Sequence, residues 1–147
     1  MPKKSVKINV QKPDLRVVEK PKTTSYNDID LKNWKLYSHI KTGSLWEFAS
    51  RDKTNGHSYD YHGNYIPQIA TQLFERFTKK NDVILDLFFG SGTSGIEALN
   101  MERRCIGVEL KQDMVDYVSS KFSKKELVTD INIICGDSTT DEAKEKV

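Results

Sequence analysis

From residue 66 onward, apolar and polar positions follow two different rhythms. In "IPQIATQLFERF" (66–77) the side chains of Ile66, Ile69, Ala70, Leu73, Phe74 and Phe77 recur three and four residues apart. That spacing predicts a helix with those side chains facing inward and Pro67 in its first turn. "KKND" turns the chain, and "VILDLF" (83–88) is a short apolar run of strand type. Thr93 to Asn100 reads as a helix, and "RRCIGVEL" (103–110) contains a second strand. "KQDMVDYVSSKF" (111–122) predicts a helix with Met114, Val115, Val118 and Phe122 inward. "INIIC" (131–135) is a third strand, followed by "GDST" and a polar stretch that starts a helix near Asp141. Strands alternating with helices of this length imply right-handed crossovers and a parallel sheet. The expected fold class is therefore α/β, a parallel sheet of about three strands with flanking helices.

Upstream, the rhythm is absent. Residues 1–28 contain Pro2, Pro13 and Pro21 and show no lasting period, so they read as a basic, disordered arm. Residues 29–65 form an irregular lead-in with seven aromatics, Trp34, Tyr37, Trp46, Phe48, Tyr59, Tyr61 and Tyr65, most of them expected to pack over a core. The regular unit occupies residues 66–147.

Composition narrows the class. With 147 residues, 37% hydrophobic and 30% charged, the chain suits one soluble globular domain. No apolar run approaches the roughly 20 residues of a membrane span, and the lysine-rich N-terminus lacks the apolar core of a signal peptide. A cytoplasmic location is expected, with no membrane partner. Cys105 and Cys135 lie in apolar runs and read as small buried hydrophobes. Three histidines without ligand spacing predict no metal site. Charge is uneven: residues 1–25 carry seven Lys/Arg against Asp14 and Glu19, a net +5 on a chain whose total is +2. Such an arm can bind phosphates, or it can simply be solvated.

Between the first strand and its helix lies "GSGTSG". Gly90, Gly92 and Gly95 match the dinucleotide fingerprint, in which glycine admits a close ligand and the helix start offers N–H groups. The neighbouring acids separate two cofactors. Asp86, four residues before Gly90, would repel a pyrophosphate over the turn but suits the ammonium group of S-adenosylmethionine (SAM). Glu109 ends the second strand, where an acid accepts from both ribose hydroxyls, a role either cofactor needs. Asp137, in "CGDS", can accept from an adenine amino group or serve only as a turn residue. As a set, the three acids favour SAM over a dinucleotide.

Over residues 44–138 the chain resembles the cofactor half of the amino-methylating (adenine-N6 or cytosine-N4) DNA methyltransferases, most specifically at "FFGSGT". That family shows a histidine-containing loop and helix, an Asp-Pro-Phe-x-Gly-Ser-Gly-Thr turn, and a Gly-Ile-Glu type strand end; "SLWEF" (44–48) is similar to its Trp-containing segment. Leu87 stands where the family usually has proline, and Gly63 where a proline commonly follows the histidine. The resemblance implies a partial Rossmann-like SAM-dependent methyltransferase fold, with residues 66–147 as an incomplete SAM-binding half-domain. It also implies that Asp86, Phe88, Gly90, Ser91, Gly92 and Thr93 surround the methionine end of SAM. Glu109 would hold the ribose, Leu110 would lie against the adenine, and Asp137 would take its amino group. The loop of His62, Asn64 and Tyr65 would close over the methionine carboxylate, although His62 can equally be a loop residue without ligand contact.

One part of the chemistry is missing. In the resembling family a Pro-Pro-aromatic loop holds the target amino group and stacks on a flipped base. The four prolines here, Pro2, Pro13, Pro21 and Pro67, are never adjacent. No catalytic residue is therefore assigned within this chain. Three strands would also leave "VILDLF" at an apolar sheet edge, which proteins normally cover. The expected partners are DNA, contacted through the arm with Trp34, Tyr37 and Trp46, and a complementary chain or segment carrying the catalytic loop. The alternative is a non-catalytic SAM-binding relic or regulatory module.

Overall fold

A computed structural model describes residues 25–54, 56, 57, 61–123 and 130–147. The arm's seven basic residues and Tyr59 lie outside the described residues. The regular part runs α1 (Pro67–Phe77), β1 (Val83–Asp86), α2 (Thr93–Asn100), β2 (Arg104–Glu109), α3 (Gln112–Ser123), β3 (Ile131–Cys135) and α4 (Asp141–Lys146). The strands pair in parallel in the order β1-β2-β3, with Val83 opposite Arg104 and Cys105 opposite Ile131. This is the expected α/β arrangement.

Side-chain parity sets the two sheet faces. Ile84, Cys105 and Ile131 share the face that meets the main core with Ile96, Val118 and Phe122. Val83 and Leu85 point the other way from the edge strand and remain exposed, Leu85 at 49%. The apolar edge expected from the sequence is thus present, continued by exposed Leu87 and Phe88.

The turn after β1 is shaped by one ring. Phe88 is 82% exposed, whereas Phe89 is 3% exposed and lies stacked near Phe122. A Cβ at Gly107 would sit 2.3 Å from the Phe89 ring, and one at Gly95 would sit 2.7 Å from it. Both glycines are therefore space for Phe89. Gly95, the third glycine of the fingerprint, serves helix–sheet packing. Gly92 caps α2 at φ +81, and its Cβ would press on Val118 and Phe122 of α3. Left-handed backbone and close packing both require glycine there.

Several expectations are corrected. Leu73 and Phe77 of α1 are exposed, and Gln72 is buried instead. Gln72 Oε1 accepts from the Lys41 N–H at 2.6 Å and its Nε2 donates to the His39 carbonyl at 3.0 Å. That side of α1 faces lead-in backbone, whose polar groups need a residue that both donates and accepts. The lead-in is also not wholly irregular: Leu31–Tyr37 is a 3-10 helix capped by Asp30, kinked at Asn33 and burying none of its residues. Trp34 on it is 62% exposed rather than packed. Trp46 and Phe48 are half-buried, under the Arg76 guanidinium and the Lys41 ammonium respectively. Cys105 is buried as expected, but Cys135 is only half-buried.

Candidate functional site

Register places the acids. Asp86 pairs with Gly107, and Glu109 lies two residues further along β2, on the same face by parity. Glu109 pairs with Cys135, and Asp137 follows two residues on. All three stand at the carboxyl ends of adjacent parallel strands, the usual ligand edge of an open α/β sheet.

Each acid is already engaged. Asp86 Oδ1 accepts from the Phe88 N–H at 2.9 Å, and its Oδ2 accepts a short hydrogen bond from the Ser94 hydroxyl. Glu109 is buried and bridges two loops: Oε2 accepts from the Gly90 N–H at 2.9 Å and Oε1 from the Lys111 N–H at 3.0 Å. Asp137 is exposed, and its Oδ1 accepts from the Thr139 N–H and hydroxyl, a turn that holds its carboxyl below the usual carboxylate range. The turn-residue role considered from sequence is therefore real, and Oδ2 stays outside it.

The Gly90 contact carries chemical information. A pyrophosphate over this turn would need the N–H that Glu109 already takes, and would lie between two carboxylates. A cation between Asp86 and Glu109 meets no such conflict. The site favours an ammonium and hydroxyl groups over phosphate.

The end of the lead-in folds over the turn. Ser91 donates to Asn64 Oδ1 at 2.7 Å, and the Tyr61 ring lies where a Gly90 Cβ would come within 3.1 Å of it. Tyr65 keeps 39% of its surface open, but its hydroxyl reaches Ser94. There burial, and then the Asp86 charge, push the phenol up to about 12. Asn64, Tyr65, Asp86, Gly90, Ser91 and Glu109 therefore converge, and Gly92 and Thr93 open α2 beneath them. Phe88 and Leu110 flank the site as exposed apolar side chains. His62 is exposed and makes no hydrogen bond among the described residues. No metal-binding cluster of His, Cys, Asp or Glu occurs among the described residues.

Sequence reasoning missed Ser94, Tyr61 and the hydrogen-bonded cluster around buried Glu97. Glu97 Oε1 accepts from His57 Nε2 at 2.9 Å and Oε2 from the Thr71 hydroxyl at 2.7 Å, while Asn100 donates to Oε1 at 3.2 Å. Burial alone would raise the Glu97 carboxyl, but these hydrogen bonds and the His57 charge outweigh it and hold Glu97 below its ordinary 4.5. A depressed folded value adds stability that is complete above the ordinary value and is lost as pH falls through the folded one. Unfolding free energy should therefore drop below about pH 4.5, and Glu97→Gln should lack that component in an acid titration.

Comparison with known proteins identifies a family and a fold. A sequence profile for a DNA methylase family matches residues 2–120. The type II methyltransferase M2.LlaDCHI of Lactococcus lactis subsp. cremoris is 27% identical over 96 residues, which is 63% of this chain and 36% of that protein. The type II methyltransferase M1.MboII of Moraxella bovis is 29% identical over 92 residues, 58% of this chain and 35% of that one. The chain thus spans about a third of the length of these relatives. A crystal structure of TTHA0409 from Thermus thermophilus, a candidate DNA modification methylase, superposes with a TM-score of 0.50 at 22% identity. It covers 76% of this chain and 45% of that one, which supports the partial Rossmann-like fold.

Proposed function

The chain belongs to the DNA methylase family, and from that premise we propose that it is the SAM-binding portion of a DNA amino-methyltransferase. The observation that carries the reading is the acid pair around Gly90, with Glu109 holding its N–H and Asp86 on the strand beside it. Asp86 would take the methionine ammonium, Glu109 the ribose hydroxyls and Asp137 Oδ2 the adenine amino group. Ser91, Thr93 and the His62–Tyr65 loop would line the methionine end, with Phe88 and Leu110 as apolar walls. When bound, SAM supplies the methyl group. This chain's residues orient the cofactor and exclude phosphate ligands.

The residues that would hold the DNA base lie in a complementary chain or segment with a Pro-Pro-aromatic loop. The β1 edge, unpaired among the described residues and carrying exposed Leu85, Leu87 and Phe88, supports pairing there. Exposed Trp34 and the basic residues before Ser25 are offered for DNA contact. No described helix is long and apolar enough to cross a membrane. Calorimetric titration tests the cofactor: SAM should bind and NAD should give no heat. NAD binding, or silence with both, would overturn the reading.

A further inference from the structure

One buried carboxylate of α2 ties that helix to α1 and to the chain at His57. Glu97 lies on α2, whose first turn forms the floor of the cofactor site. Its Oε1 receives His57, at the start of the stretch that leads to Tyr61, Asn64 and Tyr65. Its Oε2 receives Thr71 of α1, the helix that begins two residues after Tyr65. His57 and Glu97 are both buried, and His57 Nδ1 has no partner among the described residues. The ring's one hydrogen bond among them is therefore to Glu97. The carboxylate bonds to the two ends of the segment that folds over the glycine turn, and not to the turn itself.

We propose that Glu97 is a positioning residue: its two oxygens clamp both ends of segment 57–71, which sets Tyr61, Asn64 and Tyr65 over the glycine turn. The inference deepens the SAM-binding reading and rests on it for its functional meaning, but the clamp itself is a property of the unliganded chain. The middle of the segment has its own contacts, Asn64 to Ser91 and the Arg51 guanidinium to the Asn64 carbonyl. The Tyr65 hydroxyl also reaches Ser94 and Gln68 bonds to Ser50 and Asp52, so residues 64–68 have ties of their own. Glu97 adds one tie at His57 and another at Thr71, so its loss should loosen residues 61–65 without opening the sheet.

Amide hydrogen exchange of the full chain without ligand is the direct test. Glu97→Leu keeps an apolar body of similar length and removes both acceptors. Exchange across 61–65 should rise at least about tenfold, with β2 and α3 unchanged. Glu97→Gln can still accept from His57 and bond Thr71, so it should restore most of the protection. SAM affinity should weaken about tenfold in Glu97→Leu and recover in Glu97→Gln. Wild-type exchange at 61–65 in folded Glu97→Leu would overturn the proposal, as would an equal rise over the whole chain. If Glu97→Leu does not fold, Thr71→Val and His57→Leu each release one end and should each raise exchange at 61–65; no rise in either refutes the clamp. Failure of wild-type chain to bind SAM would overturn the cofactor reading instead, and the exchange result would still decide the clamp.

Discussion

Replacing Phe89 by alanine should cost about 3–5 kcal/mol, the range for removing a fully buried aromatic ring. Against the roughly 5–15 kcal/mol that holds a typical domain together, that is a large share. The ring is enclosed by Gly107 of β2, Gly95 of α2 and Phe122 of α3, so its loss empties the junction of all three. Gly107→Ala attacks the same junction from the opposite side. Its methyl carbon would sit 2.3 Å from the ring, so strand or ring must shift, at about 1–3 kcal/mol for an overpacked core. The double variant is the sharper experiment. With the ring gone, the new methyl enters vacated space and should recover part of the loss. Urea unfolding of the four proteins should give a coupling of at least about 1 kcal/mol, where independent sites add within about 0.5 kcal/mol. Additive losses would mean that the glycine does not exist for the ring.

Glu109→Ala should weaken SAM binding about a hundredfold. Hydrogen bonds to a charged group contribute about 1.5–3 kcal/mol each, and two ribose hydroxyls would lose their acceptor. A loss of about 2.7 kcal/mol is two orders of magnitude in Kd. The apo protein suffers as well, because the N–H groups of Gly90 and Lys111 lose their acceptor and the glycine turn loses its tether to β2. Glu109→Gln should fall between the two, since its amide nitrogen must face one of those donors. Calorimetry on the folded variants reads the effect. Unchanged affinity in folded Glu109→Ala would remove Glu109 from the ribose site.

The elements were legible because their rhythms are simple. Short β-branched runs bounded by turns read as strands, and the helix starts read at Pro67 and Thr93 are kept by the structure. What stayed hidden depends on partners distant in the chain. Two adjacent phenylalanines carry no sign of which one turns inward; Phe89 does because Gly95 and Gly107 leave room for it. A glutamine next to leucine reads as solvent-facing until the His39–Lys41 backbone arrives beside it. Glu97 looks like an ordinary helix acid, and nothing near His57 in sequence points forty residues ahead. At the site, Asp86 and Glu109 were legible from their places at strand ends. Ser94 was not, because only the fold brings its hydroxyl to Asp86.

The order of the strands across the sheet is also their order along the chain. Each strand therefore has its partner among the described strands made before it: β2 follows β1 after a gap of about twenty residues, and β3 follows β2 after a slightly longer one. Assembly can then proceed in the direction of translation, without any strand waiting to be inserted between two others. The glycine turn and Asp86 emerge first, Glu109 locks the turn when β2 arrives, and Asp137 completes the rim last. A chain whose β2 had emerged before its β3 would hold a half-built site with its tether in place and its last acid still to come.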